Sequence, residues 1–137
     1  ATHGVIYDFI NKLLADPQNL YVLGDGTQRK AYLHVSDLAK GMVMIARTEI
    51  VSSETPVFNL GPMDESISVM DIAEIVRDLV SPSAKITYGT TPFGWIGDIP
   101  RFKFNIQKIM SYGWKPKSSS RNAVLIAAQQ IYTQMNG

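Results

Sequence analysis

The segment Leu20-Tyr21-Val22-Leu23-Gly24-Asp25-Gly26-Thr27-Gln28-Arg29-Lys30-Ala31-Tyr32-Leu33-His34-Val35-Ser36-Asp37-Leu38 decides how the rest of the chain is read. An apolar run of strand length (20–23) turns on Gly24-Asp25-Gly26, where glycine permits backbone angles that other residues resist. Polar Thr27, Gln28, Arg29 and Lys30 follow. The apolar pattern resumes at Tyr32, Leu33 and Val35, and a helix is expected from Ser36 or Asp37, either of which can cap it. Such a strand, turn, strand and helix can project a cation and an amide into a cleft, with Lys30 meeting an anion such as a phosphate as a point charge. An ordinary surface turn with solvated charges has the same spacing, and spacing alone leaves both readings open.

Composition narrows the classes. The chain has 137 residues, fitting one domain, with 45% apolar and 18% charged side chains, enough for a core and unlike a disordered segment. A net charge of +1 with no basic stripe argues against a nucleic-acid surface. No apolar run approaches a membrane span, and no signal-peptide pattern opens the chain. Absence of cysteine excludes disulfides, thiolate metal sites and a cysteine nucleophile, and fits a cytoplasmic setting. His3 and His34 are too few and too separated for a metal site. The first residue is not Met and a helical pattern follows at once, as expected of a fragment.

Working outward, Val5, Ile6, Phe9, Ile10, Leu13 and Leu14 recur at helical spacing and predict a helix over 3–15, ended by Asp16-Pro17. The helix after the glycine turn is expected to run to about Thr48, with Leu38, Met42, Val43, Ile45 and Ala46 facing something apolar. A short strand is expected at 57–60, stopped by Gly61-Pro62. Ser68 and Asp71 form a capping-box pattern ahead of a helix whose apolar face is Ile72, Ile75, Val76, Leu79 and Val80. A strand at 84–88, a short helix capped by Asn105, a stop at Gly113 and a final helix from 118–120 to about Met135 complete the reading. The fold class is α/β, close to α+β: helices with a few strands too short and scattered to build a large sheet. The apolar helix at 37–48 wants a partner, which is physical ground for a missing lobe.

The order of short motifs then matters more than any one of them. Gly4-Val5-Ile6 with Asp8-Phe9-Ile10, Gly24-Asp25-Gly26-Thr27-Gln28 with Lys30, Val35 and Asp37, Phe58-Asn59-Leu60-Gly61, Gly97-Asp98-Ile99-Pro100, Lys108 and Gly113-Trp114-Lys115-Pro116 succeed one another along essentially the whole chain. The series resembles the C-terminal, substrate-binding part of extended short-chain dehydrogenases/reductases, the NAD-dependent sugar-nucleotide epimerases and dehydratases (UDP-glucose 4-epimerase-like). The resemblance implies one substrate-binding domain over 1–137, a Rossmann-type dinucleotide-binding lobe that would precede it and is absent here, and a nucleoside-diphosphate sugar as ligand. For the full-length parent it implies NAD(P), a keto intermediate formed by hydride removal from the sugar, and a homodimer.

Residue by residue, the resemblance implies that Lys30 holds the diphosphate where relatives more often have Arg, with Gln28 beside it. It implies that Asn59 approaches the nucleotide, that Tyr21 flanks the nucleobase and that backbone at Gly4-Val5 comes close to the nucleotide. Trp95 stands where an Arg often contacts phosphate or ribose, either stacking on the ligand or packing in the core, and Arg101 is the nearby charge. Asp37 is expected as a helix cap and not as a catalytic acid. The family's glycine-rich cofactor turn is not matched, because Gly24-Asp25-Gly26 lacks the third glycine and the following helix. The family's Tyr-x-x-x-Lys pair is not matched either: Tyr7 meets Asn11, Tyr32 meets Ser36 and Tyr112 meets Pro116. No catalytic, cofactor-binding or metal-binding residue is therefore expected in this chain, and alone it should not catalyse. Two other classes share the pattern: a free-standing nucleotide-sugar binding module, and an interaction domain that kept the fold and lost the ligand.

Overall fold

A computed structural model describes residues 4–51, 55–64, 66–92 and 103–136. Trp95, Arg101, His3 and the 97–100 motif lie outside the described residues. Helix α1 (Val5–Ala15) buries Ile6, Phe9, Ile10 and Leu13, one stripe at the spacing the sequence showed. Strand β1 (Asn19–Val22) pairs in parallel with β4 (Lys85–Tyr88), in the register Leu20 to Ile86 and Val22 to Tyr88. A parallel pair needs a crossover. It is made here by residues 23–84, whose last helix is α3 (Val69–Val80), which packs on both α1 and the last helix α5 (Ser120–Asn136). Ile10, Leu13, Leu20, Ile72, Val76 and Val124 are fully enclosed in this main core. Each such side chain contributes about 1.5–3 kcal/mol.

Two two-residue strands, β2 (Arg29–Lys30) and β3 (Ile67–Ser68), form a separate antiparallel ladder. Ser68 caps α3 through a complete capping box with Asp71, as the sequence pattern predicts. At the other end of the chain the cap is tertiary. Asp64 accepts from the Ser120 amide and hydroxyl, both at 2.6 Å, and so satisfies the start of α5 from a loop 56 residues away.

A second, smaller core holds Ile106, Ile109 of α4 (Gln107–Ser111) and Trp114, with half-buried Leu33, Met44, Ile45, Phe58, Leu60 and Met110 around it. Asn105 satisfies the start of α4 by accepting from the Gln107 amide at 3.1 Å, and Gly113 ends it at φ +95°.

Three expectations need correction. Helix α2 (Val35–Arg47) is capped neither by Ser36 nor by Asp37 but by His34, whose Nδ1 accepts from the Ser36 amide at 3.2 Å. Of its expected apolar stripe only Ile45 packs against the second core among the described residues; Leu38, Met42, Val43 and Ala46 are exposed, as is Val35, and α2 buries only Asp37 and Gly41. The segment 57–60 is not a strand. A ladder needs a neighbouring backbone, and here side chains take that place: Lys108 Nζ donates to the Val57 carbonyl at 2.8 Å and Asn59 Nδ2 to the Asn105 carbonyl at 3.4 Å.

Candidate functional site

The glycine turn is held from two sides. The Gly26 carbonyl accepts from Met70 N (3.0 Å) and the Gln28 carbonyl from Val69 N (2.9 Å), so the turn occupies the first free amides of α3. On its other side the Gly24 carbonyl accepts from Gly89 N at 2.8 Å, beyond β4. Gly24 and Gly26 have φ of +78° and +80°, and a Cβ on Gly26 would stand 2.9 Å from the Tyr88 ring. Glycine is required there both by conformation and by space. Between them Asp25 accepts from the Thr27 hydroxyl at 2.6 Å and its amide at 2.9 Å, and these bonds hold its carboxyl below the usual carboxylate range. Burial raises the Tyr88 phenol above its ordinary value.

Past the turn, Gln28 is buried, and neither its Oε1 nor its Nε2 has a hydrogen-bond partner among the described residues. A buried amide in that condition is costly and singles out the position. Arg29 reaches across to the residue just before β3: its Nη2 donates to the Ser66 carbonyl at 2.8 Å and its Nε to the Ser66 hydroxyl at 3.3 Å. Ser66 itself sits at φ +95°, a strained angle for a residue with a Cβ. Lys30 lies in β2 opposite Ile67, half-buried.

Gln28 and Lys30 thus lie two residues apart on the segment that leaves the glycine turn, Gln28 with its carbonyl at the start of α3 and Lys30 in β2. The other candidates stand apart. Val5 opens α1, half-buried against the main core. Tyr21 is on the open face of β1 with 61% of its surface exposed. Asn59 is exposed beside the second core. Two grooves lie elsewhere. One, of about 210 Å³, is lined by Ile6, His34, Ala127 and Ile131; the other, of about 420 Å³, by Met63, Phe104, Asn105 and Met110. Neither includes Gln28 or Lys30 in its lining. Asp37 is not a cap but a staple: its buried carboxylate accepts from Lys117 N (2.9 Å) and Ser118 N (3.2 Å), and its carbonyl from the Trp114 indole at 3.1 Å. Those partners lie about 80 residues away in sequence, where no local pattern could point to them.

The turn falls within a stretch with known relatives. The family model described as the NAD dependent epimerase/dehydratase family matches residues 1–61. UDP-glucuronic acid decarboxylase 1 of Arabidopsis thaliana is 30% identical over 122 residues, covering 88% of this chain and 26% of the plant protein. A solved UDP-galactose 4-epimerase superposes with a TM-score of 0.79 at 31% identity, over 97% of this chain and 41% of that one. Together these matches support reading the chain as a fragment of the NAD-dependent epimerase/dehydratase family.

The mixed helix and strand arrangement is part of this family's Rossmann-like extended dehydrogenase/reductase fold. A UDP-glucuronic acid 4-epimerase of Bacillus cereus, solved with UDP-glucuronic acid and NAD, shares that fold with a TM-score of 0.70 at 20% identity, over 94% of this chain and 40% of that one. The chain thus spans well under half the length of these relatives. Among the described residues no helix is long and apolar enough to cross a membrane. The glycine turn leads into β2 and its carbonyls occupy the start of α3, so it offers no free helix N-terminus to a dinucleotide pyrophosphate.

Proposed function

We propose that this chain is the C-terminal, substrate-binding part of a sugar-nucleotide epimerase or dehydratase, and that the Gln28–Lys30 segment after the glycine turn grips the diphosphate of a nucleoside-diphosphate sugar. The observation that carries the reading is the turn itself. It is a glycine loop fixed on both sides, followed by a buried amide with no partner among the described residues and by a cation, inside the segment matched by the family model. Lys30 would supply charge, Asn59 a contact to the nucleotide, Tyr21 a face for the base and Val5 a backbone approach. Trp95 and Arg101 belong to the same proposal. A contribution of this kind is positional: it holds the sugar where a reaction can occur.

The reading assigns NAD(P) and the reacting side chains to a separate N-terminal lobe of a cytoplasmic, homodimeric parent, in which the sugar is isomerised through a keto intermediate. Two features support a second lobe: the open apolar stripe of α2 and the segment 57–60, which lacks a ladder among the described residues. The test is an amide NMR titration of the chain with UDP, dTDP, GDP and ADP in turn. Shifts centred on residues 26–30 and on Asn59, largest for one nucleotide, are the expected result. Silence with all four, repeated in a longer protein that contains this chain, would overturn it.

A further inference from the structure

We propose that Arg29 is a positioning residue that fixes the attitude of Lys30 toward a diphosphate, an inference that rests on the reading of Lys30 given above. The β2–β3 ladder is two residues long on each side, with Arg29 opposite Ser68 and Lys30 opposite Ile67. A ladder so short specifies its register weakly. Arg29 adds what the ladder lacks, since its guanidinium meets both the carbonyl and the hydroxyl of Ser66. A lysine has no planar fork to make both bonds at once.

Ser66 is tied in turn to the body of the fold. Its amide donates to Asp64 Oδ1 at 3.4 Å, Asp64 accepts from the Ser120 amide and hydroxyl, and the Ser120 hydroxyl accepts from Tyr32 N at 3.1 Å. Ser120 is completely buried. This circuit leaves β2 at Arg29 and returns at Tyr32, so Lys30 and Ala31 are bracketed by two residues anchored to the same network. Successive side chains of a strand project to opposite faces. Anchoring Arg29 on the Ser66 side therefore turns Lys30 to the other side and keeps it there. The strained Ser66 backbone is what places its carbonyl and hydroxyl together under the guanidinium.

The test compares the whole chain with Arg29→Lys and Arg29→Met, reading amide hydrogen exchange and UDP binding by NMR titration. Both variants are expected to speed exchange at Lys30 and Ile67 and to weaken UDP on the order of tenfold, with α1 and α5 protection unchanged. Full UDP affinity in Arg29→Lys beside a loss in Arg29→Met would overturn the proposal, because charge alone would then be acting. Unaltered affinity in both variants would overturn it as well. Failure of the unsubstituted chain to bind UDP would instead remove the reading of Lys30, and with it the role assigned to Arg29; the exchange data would then report on the clamp alone.

Discussion

The two cores of this molecule are built from equally regular helices and end very differently. Helices α1 and α3 turn full apolar stripes onto each other, onto α5 and onto the β1–β4 pair, and the enclosed side chains are large. Around the second core, α2 buries one carboxylate and one glycine and leaves Val35, Leu38, Met42 and Val43 in solvent. Helical periodicity guarantees a helix; what covers its stripe is a separate matter. Among the described residues the main core is closed and the second is closed only in part. The largest expected effect follows. Leu13→Ala should cost about 2–5 kcal/mol of global stability, as removal of a fully enclosed leucine does. Ile109→Ala, equally enclosed, should cost less, because fewer buried neighbours surround it. Urea unfolding of both variants measures this, and equal costs would remove the distinction.

Two smaller effects sharpen the contrast at the joints. Gly26→Ala should destabilise by about 2 kcal/mol, combining a left-handed backbone with crowding against Tyr88. The loss should appear in α3 and β4, on the main-core side. Asp37→Ala leaves the Lys117 and Ser118 amides without their acceptor and should cost about 1–3 kcal/mol. There the loss should appear as faster amide exchange in 114–118 and α2, with α1 unchanged. Faster exchange throughout the chain would show the two cores unfolding as one.

The same division explains what the sequence made legible. Stripes and caps that act within a few residues, such as Ile6 to Leu13, Ser68 with Asp71, Asn105 before α4 and Gly113 after it, were readable because their partners are close along the chain. The Asp64 cap on Ser120 and the Asp37 staple were not, since each joins residues more than 50 positions apart. The strand expected at 57–60 failed for a related reason: β-pattern records a wish for a neighbour and cannot name one. Of the candidate site, the turn and its glycines were legible. That Arg29 is committed to Ser66 was not, because its partner lies 37 residues away along the chain.

The smallest effect is also the most local to the main core. Ser68→Ala removes a capping hydroxyl and should cost about 1 kcal/mol near neutral pH. Its pH dependence carries more information than its size. The Ser68 hydroxyl is the largest cause holding the Asp71 carboxyl below its ordinary value; burial opposes it, while the Ser68 amide and the charges of Arg121 and Arg29 add to it. A carboxyl whose folded pKa is depressed contributes stability that is present above its unfolded value, about 3.9, and is lost as pH falls through the folded value. The gap between the native chain and Ser68→Ala should therefore be widest above pH 5 and narrow below pH 4. No carboxylate takes part in the His34 cap of α2, so this narrowing reports on the start of α3 and not on the second core. Chemical denaturation at pH 7 and pH 3 checks it. A gap of the same size at both would mean that the hydroxyl acts on the helix backbone alone, and that Asp71 owes its depressed pKa to the surrounding arginines.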